Sequence, residues 1–212
     1  MKKDLTELVF ILDKSGSMSG LESDTIGGFN SFVEKEKKEE GEAVLSTILF
    51  NQNINVIHDR IDINDVKELT EEDYFTSGCT ALLDAVGTTI KSIMKIHNEL
   101  KDEAPANTLF VITTDGLENA SKEYSYSQIK KMISAQQEKG WKFIFLGANI
   151  DSIKEARSLG IDEDNAVDYM NDGRGIRTNY NSIDKAARSL REKGKIESSW
   201  KEDIERNNRR KR

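Results

Sequence analysis

The chain has 212 residues, of which 33% are charged, with one cysteine, one proline and a formal net charge of -7. A mean hydropathy of -0.61 and apolar runs of only about five residues exclude a helical membrane span. The lone cysteine excludes an internal disulfide framework and favours a reducing compartment, so a cytoplasmic location is expected. The length suits one domain of generous size plus a tail, divided here as residues 1–172 and a basic helical extension over 173–212. That extension holds 13 Lys and Arg against 6 Asp and Glu, whereas the first 172 residues hold 18 against 32. A basic tail on an acidic body invites a nucleic-acid reading, but its Asn, Glu and Lys content reads better as a solvated helix. The apolar segment after Met1-Lys2-Lys3 is too short for a signal peptide.

In chain order, Leu8-Val9-Phe10-Ile11-Leu12 reads as a buried strand. Leu21, Ile26, Phe29, Phe32 and Val33 recur at helical spacing, and the charged run over 34–42 reads as a solvated helix end. Val44-Leu45-Ser46-Thr47-Ile48-Leu49-Phe50 is a second strand. A turn at Asn51-Gln52-Asn53 returns the chain as Ile54-Asn55-Val56-Ile57-His58, a hairpin that adds one antiparallel edge strand. A short helix is expected over 64–69. Leu82, Val86, Ile90, Ile93, His97 and Leu100 then form a helical stripe. After Pro105 comes the strand Thr108-Leu109-Phe110-Val111-Ile112-Thr113-Thr114, then a helix with Ile129, Met132, Ile133 and Gln136 that Gly140 is placed to end. Lys142-Phe143-Ile144-Phe145-Leu146 is another strand, Ile150, Ile153, Ala156 and Leu159 mark a helix, and 166–169 is a weak strand. Beyond the break at Asp172-Gly173-Arg174-Gly175, Tyr180, Ile183, Ala187 and Leu190 could dock a last helix. Past Gly194 only Ile196, Trp200 and Ile204 are apolar, and mobility is expected. The alternation of strands and helices predicts an α/β fold: a Rossmann-like, doubly wound, mostly parallel sheet with one antiparallel edge strand.

Asp13-Lys14-Ser15-Gly16-Ser17 stands directly after the first strand, in the loop where ligands bind to open α/β sheets. One carboxylate and two hydroxyls, with no His or Cys nearby, suit a hard cation such as Mg2+. Alone the pentapeptide is weak evidence, because Asp, Ser and Gly are ordinary turn residues. Two further segments strengthen it. Thr113-Thr114-Asp115-Gly116 puts a carboxylate at the end of a second strong strand, and Gly78-Cys79-Thr80 puts a hydroxyl at the start of a helix. If the strands from Leu8 and Thr108 are neighbours at the switch of strand order, Asp13, Ser15, Ser17, Thr80 and Asp115 can supply up to five oxygens to one ion.

This pattern resembles the von Willebrand factor A domain and its metal-ion-dependent adhesion site (MIDAS), which is D-x-S-x-S, then a distant Thr, then a distant Asp. The resemblance covers about residues 5–170. Gly27-Gly28-Phe29-Asn30, Thr80-Ala81-Leu82-Leu83-Asp84-Ala85, Asp115-Gly116-Leu117-Glu118-Asn119-Ala120-Ser121 and the stretch from Gly140-Trp141 to Asn149 are similar to a bacterial and phage-associated subfamily. The resemblance implies a non-enzymatic, metal-dependent binding module, in which an Asp or Glu of a partner protein completes the coordination sphere of Mg2+, or of Mn2+ or Ca2+. Asp115 and Thr80 are expected to act through water in some states.

Other residues have plainer readings. Lys14 is expected at the surface, since an ammonium would compete with the metal. Asp84 is either a second acceptor behind Thr80 or a first-turn carboxylate favoured by the helix dipole. Cys79 reads as small buried filler, His97 as a partly buried packing residue and His58 as exposed on an edge strand. Glu118, Asn119, Tyr124 and Tyr126 are expected to rim the metal face, with Ser19, Gly20 and Lys122 as further rim residues.

Two other functions compete. A metal-dependent phosphatase or phosphotransferase of the haloacid dehalogenase type would also place Asp13 after a first strand. It would want a second acid two positions later, where this chain has Ser15. The other is a scaffold whose metal serves stability alone. No G-x-x-x-x-G-K-[ST] or G-x-G-x-x-G string supports nucleotide binding.

Overall fold

The computed structural model describes residues 1–209, apart from the side chain of Lys3. The sheet has six strands: β1 (Lys2–Asp13), β2 (Glu42–Phe50), β3 (Ile54–Asp62), β4 (Pro105–Thr114), β5 (Lys142–Gly147) and β6 (Ala166–Asp168). Their order is β3-β2-β1-β4-β5-β6. Every neighbouring pair is parallel except β2 with β3, as the hairpin predicts. The helices are α1 (Glu22–Glu36), α2 (Leu82–Leu100), α3 (Tyr126–Gln137), α4 (Ser152–Leu159), α5 (Gly173–Lys193) and α6 (Glu202–Arg209). Among the described residues, no helix is long and apolar enough to cross a membrane.

Because side chains alternate along a strand, β1 feeds two cores. Leu8, Phe10 and Leu12 pack with residues of α1 and α5, while Val9 and Ile11 pack with residues of α2, α3 and α4. Both faces of the central strands are covered, which explains their near-continuous apolar runs. The chain runs outward from β1 to β3 and then crosses back to β4 on the other side of β1. The crevice at the C-terminal ends of β1 and β4 is therefore the switch point of the sheet.

The helix expected over 64–69 is absent. A single 3-10 turn spans Ile63–Asp65, and the chain then runs irregularly with Val66, Leu69 and Tyr74 buried. The amide of Asn30 on α1 accounts for this: it donates to the Leu69 carbonyl (3.0 Å) and accepts from the Leu69 N–H (2.8 Å). That pairing serves both backbone groups, which a helix would otherwise need. His58 is buried rather than exposed. Register shifts on either side of Thr47 accompany a bond between its Nδ1 and Thr47 Oγ1 (3.0 Å) and a stack on Phe29, and burial lowers its pKa. His97, on the predicted stripe, also meets the buried Glu7 carboxylate and the edge of Trp141. Arg60 is the second partner of Glu7, at 2.5 Å.

The charged run after α1 is only partly solvated. Glu36 is fully buried, and burial pushes its carboxyl up to about 7 even though the Arg191 guanidinium lies 2.6 Å away. Arg191 also donates to the carbonyls of Glu40 and Gly41, which ties the end of α1 to α5. The break at Asp172 is a helix start, its carboxylate accepting from the Gly175 N–H at 2.8 Å. Ile176, Tyr180, Ile183, Ala187 and Leu190 of α5 then enter the core shared with β1.

The mobility expected after Gly194 gives way to a packed strap. Trp200 and Ile204 are each only 1% exposed. Trp200 Nε1 donates to the Asp164 carbonyl, Lys201 Nζ to those of Glu163 and Ala166, and Asn208 Nδ2 to that of Asp168. The strap shields β6, a three-residue edge strand whose open side would otherwise be free to pair. Of the basic tail, residues 210–212 lie outside the described residues. Trp200→Ala is therefore expected to cost about 3–5 kcal/mol in urea unfolding; a mobile tail would leave the midpoint unchanged.

Candidate metal centre

Asp13 is the last residue of β1 and shares the side-chain parity of Val9 and Ile11. Its Oδ1 accepts from the Ser15 N–H at 2.7 Å and its Oδ2 from Thr114 Oγ1 at 2.6 Å, so both oxygens are oriented by neighbours. The Tyr74 hydroxyl donates to the Asp13 carbonyl. Ser15 caps a short 3-10 turn, Gly16–Met18, that brings Ser17 back over the strand end. Ser15 Oγ and Ser17 Oγ lie 3.0 Å apart, and Ser17 Oγ donates to Asp115 Oδ1 at 2.5 Å.

Thr80 arrives on a different loop, stitched to the one after β4. Its N–H donates to Asn119 Oδ1, and its carbonyl accepts from the Asn119 N–H. Two glycines make this convergence feasible. A Cβ on Gly116 would stand 3.4 Å from both Ser17 Oγ and Thr80 Oγ1, so both hydroxyls lie close over that residue. Gly78 has φ +75°, and a Cβ there would collide with Gln52, whose side chain holds the Cys79 N–H. The five predicted residues, Asp13, Ser15, Ser17, Thr80 and Asp115, thus come together at the switch point. Four are buried, and Ser17 is exposed.

The electrostatics leave a negative charge to be balanced. Burial raises the carboxyl pKa of Asp13 and of Asp115 from the ordinary value, despite the hydrogen bonds that oppose it. Among the described residues neither carboxylate has a Lys or Arg partner within ion-pair distance. Lys14 is buried, contrary to its expected surface position, yet its ammonium sits 4.5 Å over the Phe75 ring. Among the described residues no three His, Cys, Asp or Glu side chains cluster as a metal site; here two carboxylates are joined by hydroxyls. Such an all-oxygen donor set with charge to offset fits a hard divalent cation.

Several neighbours have other work than expected. Asp84 accepts from the N–H groups of Lys122, Glu123 and Tyr124 at 2.8–3.0 Å, so it shapes that loop. Cys79 is exposed, not buried filler. Glu118 accepts from the Leu83 N–H and the Ser121 hydroxyl, holding the start of α2, and Asn119 holds Thr80. Tyr124 packs against Gly87 under the Lys91 ammonium, and Tyr126 donates to Glu155 at 2.7 Å. Both tyrosines are half-buried and engaged in packing. Ser19, Gly20 and Lys122 are exposed.

Three residues at the site went unpredicted. Thr114 orients Asp13, and its place one residue before Asp115 was a usable signal. Asn171 Nδ2 donates to Asp115 Oδ2 at 3.2 Å; its position just past the β6 strand, at the ligand-binding edge, could have flagged it. Tyr74 comes from an irregular loop that carries no such signal.

The same architecture occurs in solved structures of low sequence identity. Proximal thread matrix protein 1 from the mussel byssus matches with a TM-score of 0.58 and 12% identity, over 87% of this chain and 46% of that one. A second structure of that protein, described as having a zinc-occupied MIDAS motif, matches at 0.55 and 14%, over 78% and 41%. The PilB minor pilin from Streptococcus sanguinis matches at 0.59 and 11%, over 87% and 61%. The chain thus spans less than half of the mussel protein and under two thirds of the pilin. No protein-family model and no curated protein matches the chain. The fold is that of a von Willebrand factor A domain. In this chain the residues that match the MIDAS pattern lie at the crevice between β1 and β4.

The raised carboxyl pKa values carry a sign. A carboxyl whose folded pKa exceeds its unfolded value contributes stability at pH below the unfolded value, and that contribution is lost as pH rises through the folded value. At neutral pH the metal-free protein therefore bears the cost of ionising Asp13 in a buried site. Asp13→Asn should match or exceed the wild-type melting temperature in chelator at pH 7.5 and gain nothing from divalent cation. A variant that melts well below wild type in chelator would contradict this reading.

Proposed function

We propose that this A domain is a metal-dependent protein-binding module. Asp13, Ser15, Ser17, Thr80 and Asp115 would hold a divalent cation, and the partner is a protein presenting an Asp or Glu to it. The observation that carries this reading is the meeting of two buried carboxylates, unpaired with any Lys or Arg among the described residues, with three hydroxyls from two loops. When bound, the cation supplies an electrophilic coordination position that a carboxylate can take in place of water.

This chain's residues divide the remaining tasks. Asp13 and Asp115 offset the charge of the ion, and the hydroxyls of Ser15, Ser17 and Thr80 add donors without adding charge. Thr114 and Asn171 hold the two carboxylates in place. Ser17, exposed where the other four site residues are buried, marks the side open to a partner. Mg2+ is the cation we favour, with Mn2+ or Ca2+ as alternatives. The zinc-occupied motif of the mussel protein supports a divalent ion without selecting one. We assign no catalysis: two positions after Asp13 stands Ser15, which cannot serve as the general acid of an aspartyl-phosphate enzyme. One exposed, unbridged cysteine supports placing the module in a reducing compartment such as the cytoplasm.

The test compares wild type and Thr80→Ala, each immobilised in Mg2+ and in chelator and exposed to native extract. A partner captured by wild type in Mg2+, released by chelator and not captured by Thr80→Ala is the expected result. Capture that survives both chelator and Thr80→Ala would contradict the proposal. Metal-dependent hydrolysis of a generic phosphate ester, abolished in Asp13→Asn, would assign the site to a phosphatase instead.

A further inference from the structure

Among the described residues, six large apolar side chains are exposed: Met1, Val56, Ile61, Phe75, Leu117 and Ile153. Two of them adjoin the metal centre. Leu117 is 58% exposed and follows Gly116, the residue over which the Ser17 and Thr80 hydroxyls lie close. Its flanking residues carry the structural load of that loop: Gly116 admits the hydroxyls, and Glu118 holds the start of α2. Phe75 is 55% exposed, and the Ser77 N–H two residues on donates to the Lys14 carbonyl inside the metal-binding loop.

Phe75 has a second peculiarity. One face of its ring covers the Lys14 ammonium at 4.5 Å. Lys14 is 4% exposed and, among the described residues, has no carboxylate within ion-pair distance. A buried cation with only an aromatic ring for company is costly. It places positive charge beside the site without neutralising Asp13 or Asp115. The surroundings of the ion thus offer two solvent-facing apolar side chains, one of them covering a buried positive charge. Exposed large apolar residues grouped at a site mark contact surfaces, and an apolar contact next to a charged anchor is how a few residues come to dominate an interface.

We propose that the partner's acidic residue lies in a short segment with large apolar side chains close to it in sequence, which pack on Phe75 and Leu117 while the carboxylate faces the metal. This rests on the metal-dependent reading above and specifies the chemistry of its partner. A partner recognised by charge alone, such as an acidic tract or a nucleic-acid phosphate, would leave Phe75 and Leu117 without a role.

The experiment selects phage-displayed random peptides on the full chain in Mg2+, with elution by chelator. It runs in parallel on wild type, on Leu117→Ser and on the Phe75→Ser, Leu117→Ser double variant. The substituted side chains are largely exposed, and an undiminished Mg2+-induced thermal shift verifies that each variant keeps its centre. Wild type is expected to enrich peptides with Asp or Glu and a large apolar residue within about two positions. Those peptides should bind the double variant about tenfold more weakly, and selection on the double variant should retain acidic residues but lose the apolar ones. Acidic peptides without apolar enrichment, or equal binding to the double variant, would overturn this inference and leave metal-dependent recognition standing. A lack of any chelator-eluted acidic peptide from wild type would overturn both.

Discussion

The pair of carboxylates at the ends of β1 and β4 is the constraint on which the rest of this structure turns. Parallel strands that diverge from one switch point bring two chain segments, about a hundred residues apart, side by side at one sheet edge. Asp13 and Asp115 occupy that edge and are both buried. Burying like charges is unfavourable unless something of opposite sign arrives. The fold supplies no cationic side chain to either among the described residues. Lys14, next to Asp13 in the chain, is turned onto the Phe75 ring.

Much of the surrounding hydrogen bonding can be understood as holding this unfavourable arrangement in place. Thr114 and the Ser15 backbone fix Asp13, Ser17 and Asn171 fix Asp115, and Asn119 fixes the loop that delivers Thr80. Glu118 and Asp84 each gather several N–H groups from the loop after β4. A preorganised cradle of this kind lowers the entropic cost of binding, because its ligands are already ordered. Such a site also stores free energy that a bound cation would release, so metal affinity and fold stability are linked.

How far the sequence disclosed all this depended on range. Strands with continuous apolar runs, such as Leu8-Val9-Phe10-Ile11-Leu12, and helices with a clear stripe, such as α2, are encoded locally and were legible. The convergence of Asp13, Ser15, Ser17, Thr80 and Asp115 at one sheet edge was legible too, because each stands beside the end of an element whose type could be read. What escaped was set by contacts between distant segments. Asn30 holding Leu69 replaced a plausible helix with irregular chain. Thr47 and Phe29 drew His58 inward, and Asp164 gave Trp200 a partner that turned an expected mobile tail into a strap. Lys14 and Cys79 were misjudged because burial cannot be read from residue type alone, and Asp84, in the first turn of α2, has loop N–H partners that residue type does not announce. Asn171 and Tyr74 reach the site from segments about sixty residues or more from the carboxylate loops they touch.

The most direct measurement of the central claim is anomalous diffraction from crystals grown with Mn2+. One Mn2+ is expected in the crevice between β1 and β4, approached by oxygens of Asp13, Ser15 and Ser17, with at least one coordination position filled by water or by an external carboxylate. No anomalous peak between Asp13 and Asp115 at saturating Mn2+, or an ion fully enclosed by this chain's own side chains, would contradict it.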